Sequence, residues 1–267
     1  MTNDAKVDRG DFVSSSVLRP SSSIKDRASS NAERSSFTGI TREAIENDYS
    51  REAIRNSPLA QNVLCDVALG QSLDCMLEEW DGQTDVHVFA YGSLIWNPCM
   101  EHSGRTAATV RGFHRRFCLW SNVYRGTPEN PGLVLALDRG GACRGVAYRL
   151  HANVARKELA LLWRREMFGG SYVAKWLNAK TEDGPIKAIG FVMNHASNAY
   201  AGRLGDEQVV EKLATCRGHY GSGADYLCQT AAALRAAGLD DPHMDRLCDL
   251  LSAREVDLPC AGNKRER

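Results

Sequence analysis

Apolar positions along this chain recur first at helical spacing, then at strand spacing, then at helical spacing again. From Thr41 the pattern is helical: a hydroxyl cap candidate, an early acid at Glu43 and an apolar Ile45. A second helix is expected over about 59–69, with Leu59, Val63 and Val67 at i, i+4 and i+8. A third, over about 71–80, sets Leu73, Met76, Leu77 and Trp80 on one face. Residues 85–91 then alternate, with Val86, Val88 and Ala90 opposite His87, Phe89 and Tyr91. Further strands are expected at 110–120, 133–138, 143–150, 173–177 and 186–193. One helix, 153–167, interrupts them and presents Leu159, Leu162 and Trp163 together. Helices return at about 206–217, 223–237 and 242–252.

Strands that run together, with one helix inserted and helices at both ends, predict an α+β domain. Its sheet should be closed or strongly curved rather than a series of βαβ units. The expected division is a disordered serine-rich tail at 1–38, a helical extension at 39–82, an α+β domain at 83–255 and a C-terminal tail at 256–267. Ten serines between 14 and 36, with almost no large apolar residue, cannot bury enough surface to offset the entropy of ordering.

Charge narrows the choice of partner. Lys+Arg and Asp+Glu both number 33, so no basic surplus exists to neutralise a nucleic-acid backbone. Apolar runs are far too short for a membrane span. The first thirty residues carry four aspartates and no apolar block, so neither a signal nor a transit peptide is expected. Nine cysteines without a C-x-x-C pair read as thiols in a reducing, cytoplasmic setting rather than as a zinc site.

Two places carry candidate chemistry. Tyr91-Gly92-Ser93-Leu94 directly follows a strand, where a Gly-Ser turn can expose backbone N–H groups to a carboxylate or an oxyanion. A plain turn leaving the sheet explains the same tetrapeptide. Glu166 lies seven residues after Leu159, four after Leu162 and three after Trp163, so it projects from the apolar face of its helix. It also sits in the last turn, where the helix dipole disfavours negative charge. Both effects should raise its pKa and suit it to general acid–base work. Pairing with Arg164 or Arg165 is the competing explanation, although those side chains start on other faces. Arg115 and Arg116 with His114 read as a solvated strand edge, and Gly140-Gly141 as a hairpin turn. Ser222 with Asp225 reads as a helix cap, which places Tyr226 in the first turn.

Several blocks together resemble the ChaC-like γ-glutamylcyclotransferase family: VFAYGSLIWNP at 88–98, GFHRRFCLW at 112–120, RGTP at 125–128, PGLVLALD at 131–138, GVAYR at 145–149, LWRREM at 162–167 and GADYL at 223–227. The resemblance implies a small mixed β-barrel flanked by helices that cuts glutathione into 5-oxoproline and cysteinylglycine without metal or organic cofactor. It implies Glu166 as proton acceptor. The strand and loop Val88, Phe89, Ala90, Tyr91, Gly92, Ser93 and Leu94, with Tyr226 as a pocket wall, would hold the substrate. Ala90 stands where members often carry glycine. Action on other γ-glutamyl amines or amino acids, or a non-catalytic binding module, are the alternatives. Oligomeric state is left open.

Overall fold

The computed structural model describes residues 39–55 and 63–257. The serine-rich stretch 1–38, the part of the expected 59–69 helix before Val63, and residues 258–267 lie outside them. Three helices come first: α1 (Arg42–Glu46), α2 (Tyr49–Arg55) and α3 (Asp66–Met76). The barrel strands are β1 (Val86–Ala90), β2 (Gly104–Ser121), β3 (Gly132–Leu150), β4 (Tyr172–Thr181) and β5 (Gly184–Met193). Helix α4 (Ala152–Glu166) connects β3 to β4. After β5 come α5 (Asp206–Thr215), the short pair β6 (Arg217–Gly218) and β7 (Gly221–Ser222), then α6 (Gly223–Ala236) and α7 (Pro242–Asp257).

Five of the described strands close into a barrel in the order β1-β3-β2-β4-β5, sealed where β1 runs parallel to β5. Its frame is the long antiparallel β2–β3 pair, in register from Gly104 opposite Arg149 to Ser121 opposite Gly132. Two bulges, at Arg111/Phe113 and Phe117/Leu119, let these strands bend enough to close. Alternation along β1 is as the sequence pattern predicts, but both faces are buried. Val86, Val88 and Ala90 join the larger apolar cluster, which the helices share; Phe89 joins a second cluster with Val110, Leu137 and Leu177.

The structure corrects three expectations and decides one alternative that the sequence leaves open. The strands expected at 133–138 and 143–150 are one strand, β3. Gly140 and Gly141 sit inside it at φ +98° and +69°, a conformation open to glycine at little cost, and they bend the strand instead of reversing it. The helices expected on either side of Gly70 are one helix, α3, which buries Leu69 and Leu73, with Leu77 just beyond its end, and leaves Val67 69% exposed. Arg115 and Arg116 are not a solvated edge. Arg115 donates to the carbonyls of Tyr91 and Arg144 and pairs with Asp241, while Arg116 pairs with Asp138 at 2.8 Å. Finally, Arg165 turns back onto Glu166, as described below.

Helix α4 is the element on which the other layers meet. Its Ala155, Leu159, Leu162 and Trp163 are almost fully buried. Trp163 donates to Ser72 Oγ at 3.3 Å and Trp176 of β4 donates to the Met76 carbonyl at 3.0 Å, so α3 is tied to both helix and barrel. On the same helix Glu158 is fully buried. It accepts two hydrogen bonds from Arg42, at 2.6 and 2.9 Å, and one from the Glu101 amide at 2.8 Å. Burial alone would raise the Glu158 pKa, but Arg42 and that amide outweigh it and leave the carboxyl below its ordinary value.

Arg42→Ala removes the counter-charge from a buried carboxylate and should destabilise the protein by about 3 kcal/mol, the low end for such unpairing because Arg42 itself is one-third exposed. The folded pKa of Glu158 lies below its ordinary value of 4.5, so this stabilisation is present above that pH and disappears as pH falls through the folded pKa. Urea denaturation at several pH values checks both points. The gap between wild type and Arg42→Ala should narrow in acid.

Candidate active site

A cavity of about 640 Å³ opens between the end of α4, the loop after β1, the exit of β2 and the segment after β5. Its wall includes Glu166, Arg165, Ser93 and Tyr226, with Trp96, Trp120, Tyr124, Phe168 and Tyr172 as aromatic lining.

Glu166 is the last residue of α4, and its side chain keeps 14% of its surface accessible. Burial pushes the carboxyl above its ordinary pKa. The charge and hydrogen bond of Arg165 act in the opposite direction and are outweighed. Arg165 begins on a different helical face, as adjacent residues must, but its long stem wraps back so that Nε reaches Glu166 Oε1 at 2.9 Å. Arg164 does leave, toward Asp66 at 3.1 Å. The sequence spacing correctly separates the two Cβ directions but says nothing about where a flexible guanidinium ends.

Opposite Glu166, β1 ends at Ala90 and the chain turns into a short 3-10 helix, Ser93–Ile95. Ile95 N–H donates to the Gly92 carbonyl at 2.9 Å, which leaves the Ser93 and Leu94 amides ahead of the first intrahelical bond. Ser93 Oγ accepts from Arg165 at 3.0 Å. Tyr91 is anchored at both ends: its hydroxyl donates to the Phe191 carbonyl at 2.7 Å and its carbonyl accepts from Arg115. A Cβ on Gly92 would lie 3.1 Å from the Tyr226 hydroxyl, so glycine permits the close approach of this turn to α6.

The Ser222–Asp225 capping box is formed as the sequence predicts, with both reciprocal bonds near 3 Å. It directs Tyr226 into the site. The Tyr226 hydroxyl accepts from the Leu135 amide at 3.4 Å, while Tyr172 donates to the carbonyl of the same Leu135 at 3.2 Å. Trp96 and Phe117 meet the Tyr226 ring edge-on, and the Arg125 guanidinium lies 5.2 Å from its centroid. Burial pushes the Tyr226 phenol up to about 12 and the Tyr91 and Tyr172 phenols well above their ordinary value.

Of the residues singled out from the sequence, Glu166, Ser93 and Tyr226 therefore share one cavity. Tyr91, Gly92 and Leu94 build the turn beside it, and Val88, Phe89 and Ala90 are core residues of the strand that carries it. Sequence reasoning names Arg165 only as a possible partner of Glu166, and it misses Tyr172 and Tyr124. Tyr172 follows Gly169-Gly170 at the exit of α4, a position that carries no periodic signal of its own. Among the described residues, no group of three or more His, Cys, Asp or Glu is arranged to hold a metal ion.

The family model for ChaC-like proteins matches residues 86–254. This chain belongs to the ChaC-like family. It is 37% identical to the glutathione-specific gamma-glutamylcyclotransferase of Escherichia coli (strain K12), over 69% of this chain and 77% of that protein. The human glutathione-specific gamma-glutamylcyclotransferase 1 is 31% identical, over 65% of this chain and 80% of its own length. The fold is that of the yeast gamma-glutamyl cyclotransferase specific to glutathione, whose crystal structure superposes with a TM-score of 0.60. That match has 20% identity and covers 64% of this chain and 97% of the yeast chain. The small mixed barrel with flanking helices, an expectation from the family resemblance, is thus the observed architecture.

The contact between Gly92 and Tyr226 yields a test by double mutation. Gly92→Ala should cost about 1–3 kcal/mol, the usual penalty for overpacking a filled interior. In a Tyr226→Phe background, which removes the atom that the new methyl meets, the same change should cost less than half as much. Urea denaturation of the four proteins measures this coupling.

Proposed function

We propose that this protein cleaves glutathione by intramolecular cyclisation of its γ-glutamyl group, releasing 5-oxoproline and cysteinylglycine, with Glu166 as general acid and base. One observation carries the reading: within a ChaC-like chain, a carboxylate withdrawn from water at the end of α4 lines the same cavity as Ser93 and Tyr226. The E. coli relative bears the name of this activity.

The substrate brings nucleophile and electrophile already linked. Its α-amine can reach its own γ-carbonyl carbon and close a five-membered ring, so the protein need not gather two reactants. At neutral pH that amine is mostly protonated, and attack first requires a proton acceptor. With Oε1 held by Arg165, Oε2 of Glu166 is the oxygen assigned to this task. As the α-nitrogen bonds to the γ-carbon, the carbon–nitrogen bond to the cysteinyl residue breaks and the departing nitrogen takes the proton from Glu166. The ring nitrogen then gives up its second proton through the same carboxylate to the released amine, so both protons lost by the α-ammonium end on cysteinylglycine. Burial raises the affinity of the carboxylate for the proton it accepts, and Arg165 keeps that affinity low enough for the proton to be returned. We assign the Ser93 and Leu94 amides, at the open end of the 3-10 turn, to the glutamyl carboxylate or the developing oxyanion.

Catalysis is assigned to the 83–255 stretch. The site of action is assigned to the cytoplasm. Eight cysteines among the described residues are unbridged thiols, as a reducing compartment maintains them. No helix among the described residues is long and apolar enough to cross a membrane.

Glu166→Gln keeps the size of the side chain but cannot accept the proton. Turnover measured as 5-oxoproline release should fall by about 10²–10⁴, the usual contribution of a general base, with glutathione binding retained in calorimetry. Turnover near wild type would remove Glu166 from the mechanism. Glutathione acetylated on its α-amine should resist cleavage, because acetylation occupies the nucleophile. Its conversion to cysteinylglycine at a comparable rate would mean attack by water, and comparable release of 5-oxoproline from several γ-glutamyl amino acids would widen the substrate class.

A further inference from the structure

Three arms of one buried guanidinium converge on the two halves of the site. Arg165 donates from Nε to Glu166 Oε1 at 2.9 Å, from one terminal nitrogen to the Asn97 carbonyl at 2.6 Å, and from the other to Ser93 Oγ at 3.0 Å. Ser93 and Asn97 are themselves joined, the Asn97 amide donating to the Ser93 carbonyl at 2.8 Å. The fork thus grips both ends of the 3-10 turn as well as the carboxylate. We propose that Arg165 is the positioning residue of this site, one planar fork that sets the Ser93 turn and the Glu166 carboxylate in a single register.

Geometry favours that role over a purely structural one. Tying α4 to the loop needs only the bond to Asn97, a backbone acceptor. The other two arms go to side chains that line the cavity. Arginine suits the task because its donors are fixed in one plane, whereas a lysine ammonium cannot span three acceptors in the same arrangement.

The same contact makes Arg165 the charge that Glu166 feels. Tyr91 at the end of β1, Tyr172 of β4, Tyr226 of α6, Tyr124 after β2 and Cys99 before β2 all sense the Glu166 charge. Burial pushes each of these groups above its ordinary pKa, so they stay neutral at working pH. An arginine guanidinium keeps its charge across the working range of pH. Removing it leaves burial unopposed, and Glu166 then requires a higher pH to act as a base.

The proposal rests on Glu166 being the proton acceptor, and the test separates the two claims. The pH dependence of kcat/KM for 5-oxoproline release would be compared in wild type, Arg165→Gln and Arg165→Lys, with folding checked by circular dichroism. Arg165→Gln should move the acid limb up by about 1–3 pH units, the usual effect of losing an adjacent opposite charge. Arg165→Lys keeps a charge, so its limb should stay closer to that of wild type. Its kcat should still fall, by up to about 10²-fold for a misplaced carboxylate, with KM little changed. An unmoved limb in folded Arg165→Gln, or full turnover in Arg165→Lys, would overturn the role. If Arg165→Gln does not fold, the kcat and KM of Arg165→Lys decide the question alone. Should the wild type release no 5-oxoproline, the functional reading fails instead. Titration of the Glu166 carboxyl by carbon NMR then still tests Arg165: an upward shift in the variants supports it, and none refutes it.

Discussion

A carboxylate at the end of a helix and out of water is disfavoured twice, by lost hydration and by the partial negative charge of the last carbonyls. The site depends on how Glu166 tolerates that position. Arg165 supplies the offset from the adjacent residue, close enough to hydrogen-bond and still charged when buried. Its contribution is partial, for the carboxyl remains above its ordinary pKa. A complete offset would leave a weaker base, and no offset would raise the carboxyl further. An intermediate balance suits the role proposed for Glu166, which is to take a proton and return it.

That balance holds only while the loop opposite Glu166 keeps its place, and the barrel provides the fixed points. Arg115, on the bulged part of β2, holds the Tyr91 carbonyl at the exit of β1 and also pairs with Asp241 in the α6–α7 connection. Leu135 of β3 holds Tyr172 through its carbonyl and Tyr226 through its amide. One strand residue thus aligns aromatic walls contributed by β4 and α6. Closing the barrel brings together segments more than a hundred residues apart, and the site lies where they meet.

How much of this the sequence reveals depends on the kind of signal each part leaves. Helix α4 and the inward direction of Glu166 follow from the 3.6-residue period, and β1 from its alternation, because packing acts directly on those periods. The capping box at Ser222 is equally local and equally legible. Arg165 is different: its Cβ direction is set by the helix, but the destination of its guanidinium depends on an acceptor 72 residues earlier. Arg115 shows the same limit. In sequence it is a charge on a strand, and only the closed barrel reveals that its partners are Tyr91, Arg144 and Asp241. The single bent strand β3 was hidden because Gly140-Gly141 is equally good chemistry for a turn and for a bend within a strand.

The character of the cavity matches the economy of the reaction assigned to it. A bimolecular attack would need a second reactant bound and activated, and an attacking water would have to be held against competing solvent. Cyclisation needs neither, since the nucleophile arrives attached to its target. What remains for the protein is to relay protons from one nitrogen to the other, orient one carbonyl and keep other groups from titrating. The lining fits those three demands. In the proposed reaction Glu166 relays the protons, and Arg165 ties the Ser93 turn to it. The phenols of Tyr172 and Tyr226, held neutral by burial, present polar oxygens without adding a charge that would disturb the carboxyl. A pocket with more ionising groups would couple their protons to that of Glu166, and its exchanges would no longer be independent.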